Sequence, residues 1–323
     1  MNIIKENNAS VFMLLNAVLW GSSYIWSKML LGSLPYFTIL FAYFLGGLIL
    51  LTVLFFRKIR KIRLKTVAAG FCIGLLSVLS NIFCMLALSG TSSSNTAFIV
   101  QLSVVLTPLI MAVAERKLPG WRATISAMTA VSGVLLLTCD FTSFGFNTGD
   151  LFALGNAFFF SLYLASLKLF TGRTDPAQFT FMQHVTGTLA FFGLAVFYGG
   201  KLPDFGGIGI VTAAVLVLGI LISVTTILVQ SSAIKFIRPE KATVIYTLEP
   251  VAAAIFAYVL LGERLDGVGA LVGCLLILAA ILLSAYKKHS TQLLKNKVEY
   301  KYWQIAANAN QKDAMEQANN NFR

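Results

Sequence analysis

The chain is a succession of apolar stretches, each about 20 residues long, separated by short segments that carry charge, glycine or proline. A helix of this length is about 30 Å long, which matches the hydrocarbon core of a bilayer. Each apolar stretch is therefore predicted to be a membrane-spanning helix. The predicted spans are residues 11–30, 36–56, 66–88, 94–114, 122–140, 149–169, 177–198, 207–234, 240–262 and 267–286.

Composition supports this fold class. Apolar residues occupy 57% of the 323 positions and charged residues 12%, about half the charged share of a soluble domain. Such a chain has too few polar residues to cover a soluble surface. The sequence therefore predicts an all-α integral membrane protein with ten transmembrane helices, and its cysteines are interpreted as free, packed thiols.

The basic residues indicate topology. A net charge of +12 in a soluble protein would suggest a nucleic-acid partner, but here the charge lies in the connections, so no nucleic acid is expected. With a cytoplasmic N-terminus, every Lys and Arg except Lys28, Lys201 and Arg264 falls on the cytoplasmic side. By the positive-inside rule both termini are predicted to be cytoplasmic. The expected location is the inner membrane of a bacterial-type cell.

The two halves of the chain resemble each other. Asn16-Ala17 recurs as Asn156-Ala157, and Lys28 recurs as Lys168, at the same offset of 140 residues. The predicted organisation is a cytoplasmic N-terminus (1–10), two five-helix repeats (11–140 and 141–286) and a polar, disordered cytoplasmic tail (287–323). Five helices per unit is an odd number, so the second repeat enters the membrane inverted. Inverted repeats are typical of transporters with a midplane substrate site and alternating access.

Three segments resemble the EamA-like branch of the drug/metabolite transporter superfamily. They are Asn16–Lys28, Thr91–Pro108 and Thr247–Leu265. The last contains Glu249-Pro250 within a helix and ends in a Gly-Glu-Arg triplet. The first repeat departs from this pattern, because it has Leu102-Ser103 at the position of Glu249-Pro250. The resemblance implies a ten-helix transporter, often an exporter of amino acids or related metabolites.

Glu249 is the leading candidate for the transport pathway. It is predicted near the middle of the ninth span, where an ionised carboxylate costs roughly 3 kcal/mol. The carboxyl group must therefore be neutral, paired or hydrated. One interpretation is that it lines the pathway and exchanges a proton during transport. The alternative is that it bonds a neighbouring helix and holds a bend at Pro250, which frees a backbone carbonyl one turn earlier.

Two helices carry polar and aromatic faces that are predicted to be opposite walls of a central cavity. The face of the first span consists of Asn16, Trp20, Ser23 and Tyr24. The corresponding face of the sixth span consists of Asn156, Phe160 and Tyr163. The alternative is that the asparagines join helices and the aromatic rings fill gaps.

Other polar residues within spans extend the prediction. The resemblance places the helices of Asn81, Gln101 and Tyr246 around the cavity, so these residues are further pathway candidates. Lys28 and Lys168 are expected to extend to the lipid headgroups. His184 is interpreted as a packing residue.

The sequence lacks the motifs of metalloproteases, serine hydrolases and ATP-driven pumps, so no enzyme activity, catalytic residue, cofactor or metal is expected. The predicted function is secondary transport of a small organic solute, with export favoured. The expected partners are this solute and the bilayer, with protons left open, and the oligomeric state does not follow from the sequence. The alternatives are an intramembrane enzyme acting on a lipid-linked substrate and an exchanger of sugar phosphates or nucleotide sugars.

Overall fold

The computed structural model describes residues 8–114, 116, 121–140, 145–170, 175–199, 205, 207–233, 245–246, 248–264 and 267–285. Residues as far as Ala285 belong to one compact unit. The predicted tail (287–323) and the side chain of Lys168 lie outside the described part of the chain.

Helices account for nearly all of the described residues. They are α1 (Ala9–Leu31), α2 (Tyr36–Ile59), α3 (Leu64–Gly90), α4 (Ser93–Val100), α5 (Ser103–Ala114), α6 (Trp121–Thr138), α7 (Thr148–Phe170), α8 (Pro176–Gly199), α9 (Ile210–Ala233), α10 (Leu248–Leu261) and α11 (Gly267–Ala285). Between α6 and α7, the two-residue strand β1 (Cys139–Asp140) pairs antiparallel with β2 (Gly145–Phe146). The predicted all-α class is confirmed.

Within the described part of the chain, five helices are long and apolar enough to cross a membrane: α1, α2, α3, α8 and α9. Proline fixes several helix starts. Pro35 precedes α2, and Pro176 is the first residue of α8, where a missing N–H costs nothing. These helices support the predicted membrane-spanning fold.

One predicted span is interrupted by a turn. The fourth predicted span consists of α4 and α5, which are separated by a turn at Gln101 and Leu102. In the ninth predicted span, the described residues Ile245, Tyr246 and Leu248–Leu261 are all helical. The turn falls at Leu102-Ser103, the pair that occupies the position of Glu249-Pro250 in the first half.

The helices of the first half pack mainly against helices of the second half. α1 packs on α9 and α10, while α7 packs on α3, α4 and α5. In the same way, α2 packs on α8 and α9, α3 packs on α8, and α6 packs on α11. By their order in the two halves, the counterparts are α1 and α7, α2 and α8, α3 and α9, α4 with α5 and α10, and α6 and α11. When each helix is replaced by its counterpart, the set of pairings stays the same.

Three contacts join residues that are 140 positions apart and thus occupy equivalent places in the two halves. The pairs are Trp20 with Phe160, Phe44 with His184, and Gly133 with Gly273. The ring centroids of the first two pairs are 5.7 Å and 5.2 Å apart. A Cβ atom added to Gly273 would lie 2.7 Å from the carbonyl oxygen of Gly133, so the two backbones touch. Residues that contact their own counterparts indicate two-fold pseudosymmetry.

Candidate functional site

A cavity of about 120 Å³ lies in the middle of the bundle. Its walls come from α1, α2, α3, α7 and α9, with Val100 of α4 and Glu249 of α10. A water molecule needs about 10–15 Å³ by the same measure, so the space accommodates several waters or a small solute. Along α1 the lining runs from Trp20 to Ser27, at and beyond the helix midpoint. We call the bundle end where α1 begins the Ala9 end and the opposite end the Leu31 end.

Most of the predicted pathway residues line this cavity. Those that do are Trp20, Ser23, Tyr24, Asn81, Asn156, Tyr163 and Glu249. Three do not, namely Asn16, Gln101 and Tyr246. The two faces predicted on the first and sixth spans therefore meet at one cavity, except for Asn16.

Glu249 is buried, with 5% of its surface exposed, and lies in the first turn of α10. Its Oε1 atom accepts a hydrogen bond from the Tyr24 hydroxyl at 2.9 Å. The carboxyl group therefore both lines the cavity and joins α10 to α1, so the structure combines the two interpretations of this residue.

Gln101 occupies the turn between α4 and α5 and reaches the backbone at Tyr246, which precedes α10. Its Nε2 donates a hydrogen bond to the Tyr246 carbonyl at 3.0 Å. Tyr246 lies four residues before Pro250, which has no N–H to donate to this carbonyl. Gln101 therefore replaces the missing helical donor and joins the turn of the fourth predicted span to the segment that precedes α10.

Asn16 lies one turn from Trp20, on the Ala9 side of the cavity. It is 1% exposed. The Tyr246 ring packs nearby and its hydroxyl donates to the Met13 sulfur at 3.6 Å. These residues form a buried layer beneath the cavity.

Asn156 and Asn81 line the cavity from α7 and α3, two helices that pack against each other. The Ser80 hydroxyl of α3 donates to the Asn156 Oδ1 of α7 at 2.7 Å, so Asn156 joins helices of the two halves. Asn81 donates through Nδ2 to the Ser77 carbonyl of its own helix at 2.8 Å. Both asparagines line the cavity while one end of each amide is held by the protein.

An aromatic row crosses the Ala9 end of the cavity. Its members, in spatial order, are Tyr246, Trp20, Phe160 and Tyr163. Successive ring centroids are 6.3, 5.7 and 5.7 Å apart. The Tyr163 hydroxyl continues the row by hydrogen bonding with Gln183 of α8. The aromatic row therefore connects both halves across the bundle.

A charged network lies at the Leu31 end. Lys28 was expected to extend to the headgroups, but its Nζ lies 3.2 Å from Glu263 Oε1 and also donates to the Thr91 carbonyl. The Ser93 N–H donates to Glu263 Oε2 at 2.9 Å. Thr91 in turn donates through its hydroxyl to Asp150 at 2.7 Å. This Lys28–Glu263 network joins α1, the start of α4, the residues after α10, and α7.

Comparison with known proteins identifies the family. The sequence profile of the EamA-like transporter family matches residues 7–139 and 147–286, which are nearly the whole chain in two repeats. The chain belongs to the EamA-like transporter family. It is 28% identical over 289 residues to an uncharacterized transporter of Archaeoglobus fulgidus, with 87% of each chain covered. An uncharacterized transporter of Clostridium kluyveri is 25% identical over 300 residues, covering 88% of this chain and 96% of the relative.

The fold of this EamA-like transporter is also found in a solved structure titled "Crystal structure of protein". The TM-score is 0.61 at 18% sequence identity, over 91% of this chain and 99% of the other. Together, the family and the apolar helices establish a multi-pass membrane protein of a transporter family, whose partners are a small-molecule solute and the bilayer. They point to a transporter rather than an enzyme.

Several cavity residues of this EamA-like transporter were not predicted. They are Ser27, Tyr43, Phe44, Ser77, Ser80, Ser223 and Thr226, with apolar neighbours such as Leu40 and Ile222. Helical spacing could have identified part of this set. Ser77, Ser80 and Asn81 share one helical face, and so do Ser223 and Thr226. Tyr43 had no such signal, because α2 is otherwise apolar around it.

His184 is fully buried and does not line the cavity. Its Nδ1 pairs with the Thr180 carbonyl at 2.9 Å, and its ring packs on Phe44. A Cβ atom added to Gly47 would overlap the imidazole ring, so α2 and α8 approach closely here. The structure therefore supports a packing role for this histidine.

Proposed function

We propose that this protein is a secondary transporter that moves a small organic metabolite, such as an amino acid or a related amphipathic solute, out of the cell by alternating access. The observation that carries the proposal is the cavity at mid-bundle, walled by both halves of the chain and lined with hydroxyl, amide, carboxyl and aromatic groups. Transporters with repeated halves bind their substrates at such a place.

The contact pattern supports ten spans in two inverted five-helix repeats. In this scheme α4 and α5 together form the fourth span, and α10 is the main part of the ninth. The exchange symmetry of the helix pairings and the three contacts between residues 140 positions apart support a two-fold relation between repeats. With an odd number of spans per repeat, the axis lies in the membrane plane.

The bounds of the cavity support alternating access. The aromatic row lies at its Ala9 end and the Lys28–Glu263 network lies at its Leu31 end. Both connect the two halves, so a rocking movement of one half against the other would open one boundary while the other stays closed. In the proposed orientation the Ala9 end faces the cytoplasm of a bacterial-type cell and both termini are cytoplasmic.

The rival functions need different chemistry in the cavity. A sugar-phosphate or nucleotide-sugar exchanger needs Lys or Arg for phosphate, and the described residues that line the cavity include neither. An enzyme acting on a lipid-linked substrate needs grouped catalytic residues. Glu249 is the single carboxyl group among the described lining residues. The lining therefore favours transport over both alternatives.

Counterflow in proteoliposomes tests the proposal. We expect a panel of radiolabelled amino acids and related metabolites to include one solute that native protein takes up. Glu249→Gln and Tyr163→Ala are expected to reduce this uptake at least about tenfold, because both residues line the cavity. Gly193→Ala is the matched control, since an added Cβ meets nothing within 4 Å there. Normal uptake by both cavity variants would contradict the proposal.

The same assay, repeated with and without a pH gradient, tests the role of protons. Uptake that needs the gradient and is lost in Glu249→Gln would assign proton exchange to this carboxyl group. Uptake that survives collapse of the gradient would indicate a facilitator in which Glu249 does not exchange protons.

A further inference from the structure

We propose that the Glu249 carboxylate binds the ammonium group of the solute, so that the cavity recognises organic amines that carry an apolar body. This inference rests on the proposed function only for the statement that the solute is transported. The binding event can be tested without transport.

The charges around the cavity are unbalanced. Glu249 lines the cavity, and its carboxyl group has one hydrogen bond, from Tyr24, and no ion pair within the described part of the chain. Lys28 follows directly after the lining residue Ser27, but its ammonium group is paired with Glu263. A buried carboxylate without a cation is costly in a bilayer. A positively charged solute supplies the missing partner.

Two hydroxyl groups that line the cavity together with Glu249 are oriented as acceptors. The Ser23 hydroxyl donates its hydrogen to the Trp20 carbonyl at 2.6 Å, and the Thr226 hydroxyl donates to the Ile222 carbonyl at 2.8 Å. Each hydroxyl has one hydrogen, so its lone pairs are what remain for a ligand. Such a wall is complementary to an ammonium group, which has three donors and no acceptor.

The same hydrogen-bond pattern applies to Asn81. Its Nδ2 donates to the Ser77 carbonyl, which leaves Oδ1 as an acceptor. Together with Ser23, Thr226 and the carboxyl group of Glu249, it makes the lining rich in acceptors. A solute carboxylate or phosphate placed beside Glu249 would be repelled by the like charge of its carboxylate.

Aromatic rings supply the remaining walls. The rings that line the cavity belong to Trp20, Tyr24, Tyr43, Phe44, Phe160 and Tyr163. Aromatic faces attract cations and also bury apolar carbon. An amine with an aliphatic or aromatic body satisfies the carboxylate, the acceptors and the rings at once.

Binding to the purified full-length chain tests the proposal by isothermal titration calorimetry. The probes are primary amines of increasing size, from propylamine to phenethylamine, each paired with the carboxylate of the same skeleton, such as 3-phenylpropionate for phenethylamine. We expect at least one amine to bind at least about tenfold more tightly than its paired carboxylate, because one charge-assisted contact is gained.

Variants assign the effect to the carboxyl group. Glu249→Gln is expected to lose the preference for amines, and Glu249→Asp to retain it. Asp175→Asn is the matched control, since it removes a carboxylate that pairs with Lys58 away from the cavity. The comparison of amines with their paired carboxylates uses the native chain alone. It therefore still tests the proposal if Glu249→Gln fails to fold.

The proposal is overturned if no amine in the series binds, if the paired carboxylates bind as tightly as the amines, or if Glu249→Gln changes amine affinity by less than about threefold. The proposed function fails separately. Amine binding without uptake of any solute would refute transport alone, whereas transport of anions without amine binding would refute the amine site alone.

Discussion

Gly21 lies at a close contact between α1 and α10. A Cβ atom at this position would lie 2.5 Å from the Glu249 carbonyl oxygen and 3.0 Å from Ala252 Cβ. We predict that Gly21→Ala separates the two helices and destabilises the protein by about 1–3 kcal/mol, because the contact is to backbone that cannot rotate away. The measurement is the thermal unfolding midpoint of the purified protein in detergent.

Gly193→Ala separates this packing effect from a general effect of alanine in a helix. Nothing lies within 4 Å of an added Cβ there, and alanine favours a helix over glycine by about 1 kcal/mol. Its midpoint should be unchanged or raised. An unchanged midpoint for Gly21→Ala would mean that the α1–α10 contact is looser than the structure indicates.

At the residue scale, the sequence predicted the cavity where polar side chains repeat with helical spacing. Ser23 and Tyr24 were found in this way. Asn16 belongs to the same face but lies a turn too far toward the Ala9 end, and spacing alone does not say how deep a cavity extends. Tyr43 has no polar side chain one helical turn away from it in α2, so only the packing of α2 against α9 reveals its position at the cavity.

At the element scale, the hydrogen bond from Gln101 to the Tyr246 carbonyl replaces the donor that Pro250 lacks. We predict that Gln101→Leu costs about 1–3 kcal/mol, because a buried carbonyl is left without a partner. Pro250→Ala returns an N–H at the helical distance from this carbonyl. The double variant should therefore lose less stability than the sum of the losses in the two single variants. Chemical denaturation of the four proteins measures this coupling.

Gln178→Leu is the matched control for Gln101→Leu. Gln178 Nε2 also donates to a backbone carbonyl, that of Lys58 at 2.8 Å, but this bond lies at a helix end near the membrane surface. Water can replace the Gln178 side chain as the donor there, so a smaller loss of stability is expected. Strict additivity in the Gln101 and Pro250 cycle would show that the two residues act independently.

The positions of the helices followed from hydropathy, but the turn within the fourth predicted span did not. Pro250 indicated a bend in the ninth span. The turn at Gln101 and Leu102 has no proline or glycine, and its residues are compatible with a continuous helix. The interruption is stabilised by contacts with another part of the chain, which local propensity does not encode. Which helices pair across the halves is likewise a property of the assembled bundle.

At the scale of the whole molecule, Cys84 is a natural reporter of access because it lines the cavity. We predict that Lys28→Met raises its reaction rate with a membrane-impermeant thiol reagent added at the Leu31 end. If the Lys28–Glu263 pair contributes about 1 kcal/mol to closure, the open population rises about fivefold. The measurement uses a chain in which Cys84 is the single remaining cysteine.

Lys58→Met is the matched control, because it removes an ion pair with Asp175 at the Ala9 end. It should not raise labelling from the Leu31 end. Conversely, Trp20→Ala opens the aromatic row and should raise labelling from the Ala9 end. Equal labelling of native and Lys28→Met protein would exclude the network as a closing element.

The packing of one half against the other has a consequence for biosynthesis. The main partners of α1 are α9 and α10, which begin at Ile210 and Leu248. At roughly 5–20 residues per second, the ribosome delivers them roughly 10–50 s after α1. During this interval the polar groups of α1, Asn16 and Lys28 among them, lie in or near the bilayer without the second half. The nascent chain therefore passes through an inserted but unassembled state, and degradation of newly made protein should be most sensitive to substitutions at the contacts between halves.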